Sequence, residues 1–239
     1  MRLNELGQPI GDALPDWTAC DPPQSSVLSG TYCRLERLDA DRHAADLFRA
    51  DRADVSGASW TYLPYGPFAD LASYRGWLEP AAAGMDPLFY AVIDTDPRSD
   101  EGTTGRAVGV LSLLRVQPDV GSIEVGHVHY SPALQRRRAA TQAQYLLMAY
   151  VFDDLGYRRY EWKCDALNAP SRAAAHRLGF RYEGTFRQAT VAKGRNRDTA
   201  WYSIIDAEWP RVRTAMRSWL NEDNFDDSGR QRTPLQVSR

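Results

Sequence analysis

Nowhere in the 239 residues is there a run of the roughly 18–20 apolar residues that a membrane span requires. Nor do Met1 to Gly11 carry an apolar core followed by a small-residue cleavage site. A membrane partner is therefore not expected, and the cytoplasm is the default compartment. Cysteine is scarce: Cys20, Cys33 and Cys164 are odd in number and lack CxxC spacing, which argues against a disulfide framework or a zinc knuckle. Free thiols and no metal are the simple expectation. Charge of one sign is also missing, because Lys+Arg 29 against Asp+Glu 31 leaves a formal net charge of -2. That balance argues against a broad nucleic-acid-coating surface. What is present is 43% hydrophobic content, enough for the core of one domain with extensions, and an excess of aromatics, with Trp 7 and Tyr 12.

The ends differ from the middle. Residues 1–30 pass Pro9, Pro15, Pro22 and Pro23 without a helical or alternating pattern and read as an extended arm. Residues 221–239 combine Asp226-Asp227-Ser-Gly with few apolar side chains and read as a disordered tail. Between them, residues 31–220 alternate strand and helix patterns. Strand-type runs are expected at Thr31–Leu38, Leu88–Asp94, Ala107–Val116, Ser122–Tyr130, Tyr160–Ala166, Phe180–Arg187 and Asp198–Asp206. Helices are expected from Asp39 or Asp41 to Phe48, at Phe68–Ala82, after Ser131-Pro132 toward Gly156, at Pro170–Leu178 and at Glu208–Leu220.

One unit stands out: a strand ending in His129-Tyr130, a basic turn, a long Ala-rich helix, a strand, then Asn168-Ala-Pro-Ser171, a short helix and Gly179-Phe180. A basic turn at a helix start offers unpaired N–H groups and the positive end of the helix dipole, together with Gln135, Arg136, Arg137 and Arg138. A phosphate or pyrophosphate suits such a turn, although three arginines can also be merely solvated.

Through Gln135-Arg-Arg-Arg-Ala-Ala140, Asn168-Ala-Pro-Ser171 and Leu178-Gly-Phe-Arg-Tyr-Glu-Gly184, the span Ile123–Gly184 resembles the GNAT acyltransferase superfamily. Within it the chain resembles the branch containing the ribosomal-protein alpha-amino acetyltransferases. The resemblance implies an α/β (α+β) GNAT fold: a mixed, mostly antiparallel central sheet of about seven strands, flanked by helices and splayed between the central strands. It implies acetyl-coenzyme A as acyl donor, held by His129, Tyr130, Gln135, Arg136, Arg137, Arg138, Ala139, Ala140, Thr141, Asn168 and Ser171. It implies an amine-bearing small molecule or a protein or peptide N-terminus as acceptor, and a homodimer is common in such enzymes. A catalytically silent GNAT-fold protein that binds coenzyme A or a protein partner in a regulatory role is the alternative. In Arg138 the chain departs from the family's usual glycine, and an outward-pointing guanidinium there is expected to contact a coenzyme A phosphate.

Acyl transfer from a thioester to an amine needs a neutral amine, a polarised carbonyl and a proton for the departing thiolate. Glu124, two residues before Gly126 on the central strand, where the resemblance implies a carboxylate acting through water, is the first choice of base, with a structural hydrogen-bond or ion-pair role as its alternative. By strand alternation His127 and His129 should lie on the face opposite Glu124. Ser171 could donate to the leaving sulfur or simply cap its helix, and Asn168 could cap or bind pantetheine. The family's usual tyrosine acid is Ala175 here. Cys164 lacks a recognisable histidine partner, which argues against an acyl-cysteine. Among the aromatics of residues 60–77, core packing is the ordinary role, while Trp60 and Tyr65, beside Gly66-Pro67, are the candidates for a substrate-binding lid.

Overall fold

The computed structural model describes residues 2–237. A small hairpin of β1 (Arg2–Leu3) and β2 (Pro9–Ile10) stands apart from the main sheet. That sheet has eight strands, in the order β3 (Val27–Ser29), β4 (Cys33–Arg37), β5 (Leu88–Asp94), β6 (Ala107–Gln117), β7 (Ser122–Tyr130), β8 (Arg159–Asp165), β10 (Arg195–Ile205) and β9 (Arg181–Ala192). Every pairing is antiparallel except β7 with β8. Every residue of β5 is buried, as its continuous apolar run demands of a strand covered on both faces.

Helices supply that cover. On one face α1 (Ala40–Asp51) and α2 (Leu71–Ala83) enclose a core that includes Leu47, Trp60, Tyr74 and Phe89. Asp39 caps α1 by accepting the Arg42 N–H, and Asp70 with Ser73 forms a capping box on α2. On the other face α3 (Arg138–Ala149, continuing as a π-helical turn over Tyr150–Asp154), α4 (Ala169–Arg177) and α5 (Trp209–Trp219) pack over Tyr160, Phe180 and Tyr202.

Two irregularities in β7 make the site. The parallel ladder with β8 runs from Ser122↔Arg159 to Val125↔Trp162 and stops, although β7 continues to Tyr130 and β8 to Asp165. The strands part there. Between Ser112↔Gly126 and Val110↔His129, β6 has one residue, Leu111, where β7 has two, His127 and Val128. This is a β-bulge, and His127 takes φ 50 to form it. The extra residue reverses the alternation: Ile123 and Val125, then Val128 and Tyr130, pack toward α3, while His127 and His129 join the face of Glu124. The expectation that the histidines oppose Glu124 fails because strict period-two counting assumes an unbulged strand.

Both ends are more ordered than their composition suggested. Val27–Ser29 forms an edge strand, and the Tyr150 hydroxyl accepts the N–H groups of Gln24 and Ser25. At the other end Phe225 and Leu235 are buried; Phe225 meets Trp219 edge-on at 5.0 Å, and Gln231 accepts the Trp219 indole N–H at 2.8 Å. Two apolar anchors suffice to dock a segment whose average composition is polar. Among the described residues no helix is long and apolar enough to cross a membrane.

Candidate active site

A cleft of about 800 Å³ opens where β7 and β8 part. Its floor is a string of paired charges. Glu124 and Lys163 are 4% and 8% exposed, and Lys163 Nζ lies 2.9 Å from Glu124 Oε2, 2.7 Å from Glu161 Oε2 and 3.7 Å above the Trp201 ring. From the open side Arg115 reaches Glu124 Oε2 at 2.7 Å, and Arg159 joins Glu161 to Glu183. Arg159 holds the Glu183 carboxyl down at about 2. Charges this buried persist only when paired, and here each carboxylate faces at least one cation. Glu124 Oε1 accepts no hydrogen bond from the described residues, so one carboxylate edge is left for a guest.

The roof comes from the loop between α1 and α2 and from the β9–β10 hairpin, tied together by Lys193. Its Nζ donates to the carbonyls of Trp60 at 2.9 Å and Gly66 at 2.8 Å, while the Tyr62 hydroxyl donates to Leu167 O at 3.1 Å. Gly66 has φ 64, and a Cβ there would run into the Trp60 ring. The loop residues facing the cleft are Ser59, Tyr62, Leu63 and Pro64. Trp60 is instead buried behind them, stacked 3.7 Å from His129, and Tyr65 turns its hydroxyl to His127 Nδ1 at 3.0 Å. Of the two lid candidates neither lines the cleft, whereas Tyr62 and its neighbours do, because the 3-10 turn at Ala58–Trp60 points the indole into the core.

Both histidines of the bulged strand are held neutral. Burial, aided by the charges of Arg115 and Arg197, pushes His127 down to about 4, and burial pushes His129 to about the same value. His129 Nε2 lies 2.9 Å from Ser59 Oγ, and its Nδ1 lies 3.5 Å from Asp51, whose carboxyl burial pushes up to about 7. The His129 side chain therefore packs with the α1–α2 core.

At the start of α3, Gln135, Arg136 and Arg137 are exposed, and Gln135 Nε2 donates to Tyr130 O at 2.8 Å. Arg136 adopts φ 61, and Arg137 is an extended N-cap with no side-chain cap, so the first N–H groups of the helix remain open. Arg138 does not point outward. It is 5% exposed, its Nε and NH2 bind Asp96 at 2.6 and 2.5 Å, and its guanidinium lies 4.0 Å from the Tyr32 ring. As the first residue of α3 it follows the helix's inward face. Ala139 and Ala140 bring no bulk to the turn, whereas Thr141 is buried and accepts from Arg177 at 3.0 Å. The Tyr130 hydroxyl accepts from Gln144 at 2.9 Å, beside α3.

Asn168 and Ser171 both line the cleft. Asn168 Oδ1 caps α4 by accepting the Ser171 N–H at 3.1 Å, which leaves its amide nitrogen free. Ser171 Oγ accepts the Trp162 indole N–H at 3.0 Å, so its own proton is available to donate. Burial pushes the Cys164 thiol up, away from thiolate.

Sequence reasoning passed over Arg115, Lys163, Lys193 and Arg197. For Lys163 a signal was present, since Tyr160, Trp162 and Cys164 alternate with Glu161, Lys163 and Asp165. A central strand with an acidic and a basic residue on one face is expected to floor a polar cavity. Lys163 and Lys193 are also the only two lysines of the chain, and both serve this cleft.

Comparison with known proteins agrees with this geometry. Residues 33–181 match the family model described as an acetyltransferase (GNAT) domain. A crystal structure of a GCN5-related N-acetyltransferase from Brucella melitensis is 46% identical, covers 93% of this chain and 97% of its own, and superposes with a TM-score of 0.88. One of a probable GNAT-family acetyltransferase from Chromobacterium violaceum ATCC 12472 is 42% identical, with 84% and 97% covered and a TM-score of 0.76. An uncharacterized N-acetyltransferase, p20, of Bacillus licheniformis is 23% identical over 73% of this chain and 99% of that protein. With a bulged central strand, a splayed parallel pair and an open helix start all falling inside or beside the matched span, the chain belongs to the GNAT acetyltransferase family.

Proposed function

We propose that this protein moves the acetyl group of acetyl-coenzyme A to a primary amine, of a small molecule or of a protein or peptide N-terminus, by direct transfer in a ternary complex. The observation that carries this reading is the parting of β7 from β8 directly over the Glu124–Lys163 floor. The residues present fit the cofactor: Arg136 and Arg137 are exposed with no acidic partner among the described residues, and they flank an uncapped helix N-terminus. Arg136, Arg137, Gln135 and the first turn of α3 would hold the phosphates, and Asn168 the pantetheine amide. When bound, acetyl-coenzyme A supplies an acetyl group activated as a thioester.

The chain's own residues do the rest. Glu124 Oε1 accepts the amine's proton, directly or through a water, while Arg115 and Lys163 fix the carboxylate by its other oxygen. Ser171, whose oxygen accepts the Trp162 N–H, would donate a hydrogen bond to the departing thiolate, which takes up the proton that Glu124 removed from the amine. Support for the cofactor comes from the microcin C7 self-immunity acetyltransferase MccE, solved with acetyl-coenzyme A and AMP, which shares this fold at 18% identity and a TM-score of 0.62. A link to the ribosomal-protein branch is suggested by YdaF of Bacillus subtilis (strain 168), whose name provisionally assigns it to ribosomal N-acetylation. YdaF is 28% identical over 44% of this chain and 57% of its own length.

The test follows free thiol while acetyl-coenzyme A and a panel of amines are presented. Glu124→Gln should lower kcat by about 100-fold with cofactor affinity retained, and near-normal turnover would remove Glu124 from the chemistry. Cofactor binding without thiol release for any amine would favour the regulatory reading, for which the buried Ala175 in place of the tyrosine acid speaks.

A further inference from the structure

Resting on the acetyl-transfer reading, we propose that the acceptor carries a carboxylate as well as its amine, and that Arg197 is the residue that holds it. Cations around the cleft are otherwise committed. Arg115 and Lys163 pair with Glu124, Lys163 also with Glu161, and Lys193 is tied to two backbone carbonyls of the roof. Arg197 lines the same cleft from β10, and among the described residues no carboxylate lies within salt-bridge distance of it. Its Nε is shut off from solvent and donates to nothing.

That is an unusual state for a guanidinium. A buried N–H without an acceptor and a guanidinium without a counter-ion are both destabilising, and the terminal N–H groups of a guanidinium match the oxygens of a carboxylate. The charge is also well placed, because it acts on both His127 in the bulge of β7 and Cys164 on β8, the two strands that part. Thr199 and Trp201, farther along β10, line the cleft with it, and Trp201 touches Lys163 beside Glu124. A ligand with its amine at Glu124 and its anion at Arg197 would therefore span the floor. The near-neutral total charge of the chain hides this cation, which among the described cleft-lining residues is the one without a carboxylate or carbonyl partner.

The experiment presents the acetyl-coenzyme A complex with glycine, β-alanine, 4-aminobutyrate and phenylalanine, each beside its methyl ester, and with 2-aminoethylphosphonate beside β-alanine. At least one acid should exceed its ester in kcat/KM by about tenfold or more. Arg197→Gln should abolish that ratio by lowering the acid alone, with ester turnover, melting temperature and acetyl-coenzyme A affinity unchanged. Equal rates for acids and esters would overturn the proposal while leaving acetyl transfer intact. So would a loss of cofactor affinity in Arg197→Gln, or a tenfold preference for the phosphonate. Should no amine release thiol, acetyl transfer fails on its own, and equilibrium dialysis of the same acids against the coenzyme A complex decides the rest. Saturable binding that Arg197→Gln removes supports the carboxylate site, and no binding, or binding equal in the variant, overturns it.

Discussion

Two neighbourhoods on the same face of the sheet treat buried polar groups in opposite ways. On the cleft floor Glu124, Lys163 and Glu161 each have an oppositely charged group within 3 Å. A few residues along the same strand, past the bulge, His129 sits beside Asp51 with neither group ion-paired so closely; burial outweighs the nearby Tyr74 hydroxyl at Asp51 and moves each group toward its neutral form. Both neighbourhoods are deep, and they differ in whether an opposite charge lies close enough to pair. The ion-paired neighbourhood is the one that lines the cleft.

Breaking the pairing on the floor should have the largest effect. Lys163→Met keeps the stem over Trp201 but removes the buried cation that Glu124 and Glu161 share, leaving each carboxylate to a single, more exposed arginine, which should destabilise the fold by about 3 kcal/mol in chemical denaturation. A loss under 1 kcal/mol would mean that Arg115 and Arg159 alone neutralise the floor, and the contrast between the two neighbourhoods would weaken.

The neutral neighbourhood predicts a dependence on pH. Asp51's carboxyl is raised from 3.8 to about 7, so its contribution is fully present below about 4 and is lost as pH rises to about 7, to a total of about 4 kcal/mol. His129 is lowered from 6.5 to about 4, so its contribution has the opposite sign, present above about 6.5 and lost as pH falls toward 4. In the native chain the two oppose one another over the same window. Asp51→Asn should therefore stabilise by a few kcal/mol at pH 8, little at pH 4, and leave stability that climbs between those limits. A uniform gain or loss at every pH would show that Asp51 keeps its ordinary titration.

How much of this was legible in the sequence follows the same line between local and long-range causes. Strand and helix positions came through because periodicity and caps such as Asp39 and Asp70 are local signals. Ser122–Tyr130 and Leu88–Asp94 were read with their observed bounds. Glu124, Asn168 and Ser171 could be named because the stretches that hold them resemble the motifs of the GNAT superfamily. The bulge at His127 was not legible, because its cause is pairing with β6, 14 or more residues away in the chain. Arg138 was misjudged for a similar reason: its partner, Asp96, is 42 residues distant, in a loop that carries no mark of its role. Lys193, 127 and 133 residues from the carbonyls it ties, likewise could not be placed without the fold.

The same contrast recurs in miniature among the three arginines of one turn, and it gives the smallest and most selective prediction. Arg138 is buried on Asp96, whereas Arg136 and Arg137 are exposed with no acidic partner among the described residues. If pairing determines what each does, the outer two act on a ligand and the inner one on the fold. Arg136→Ala or Arg137→Ala should weaken acetyl-coenzyme A by about tenfold, roughly 1.4 kcal/mol, at low salt and less at high salt, with the melting temperature unchanged. Arg138→Ala should do the reverse, lowering the melting temperature while a correctly folded fraction retains its affinity. Isothermal titration at two salt concentrations beside thermal denaturation separates these outcomes. Equal loss of affinity from all three would mean that the Asp96 pair opens when the cofactor binds, and that the turn acts as one unit.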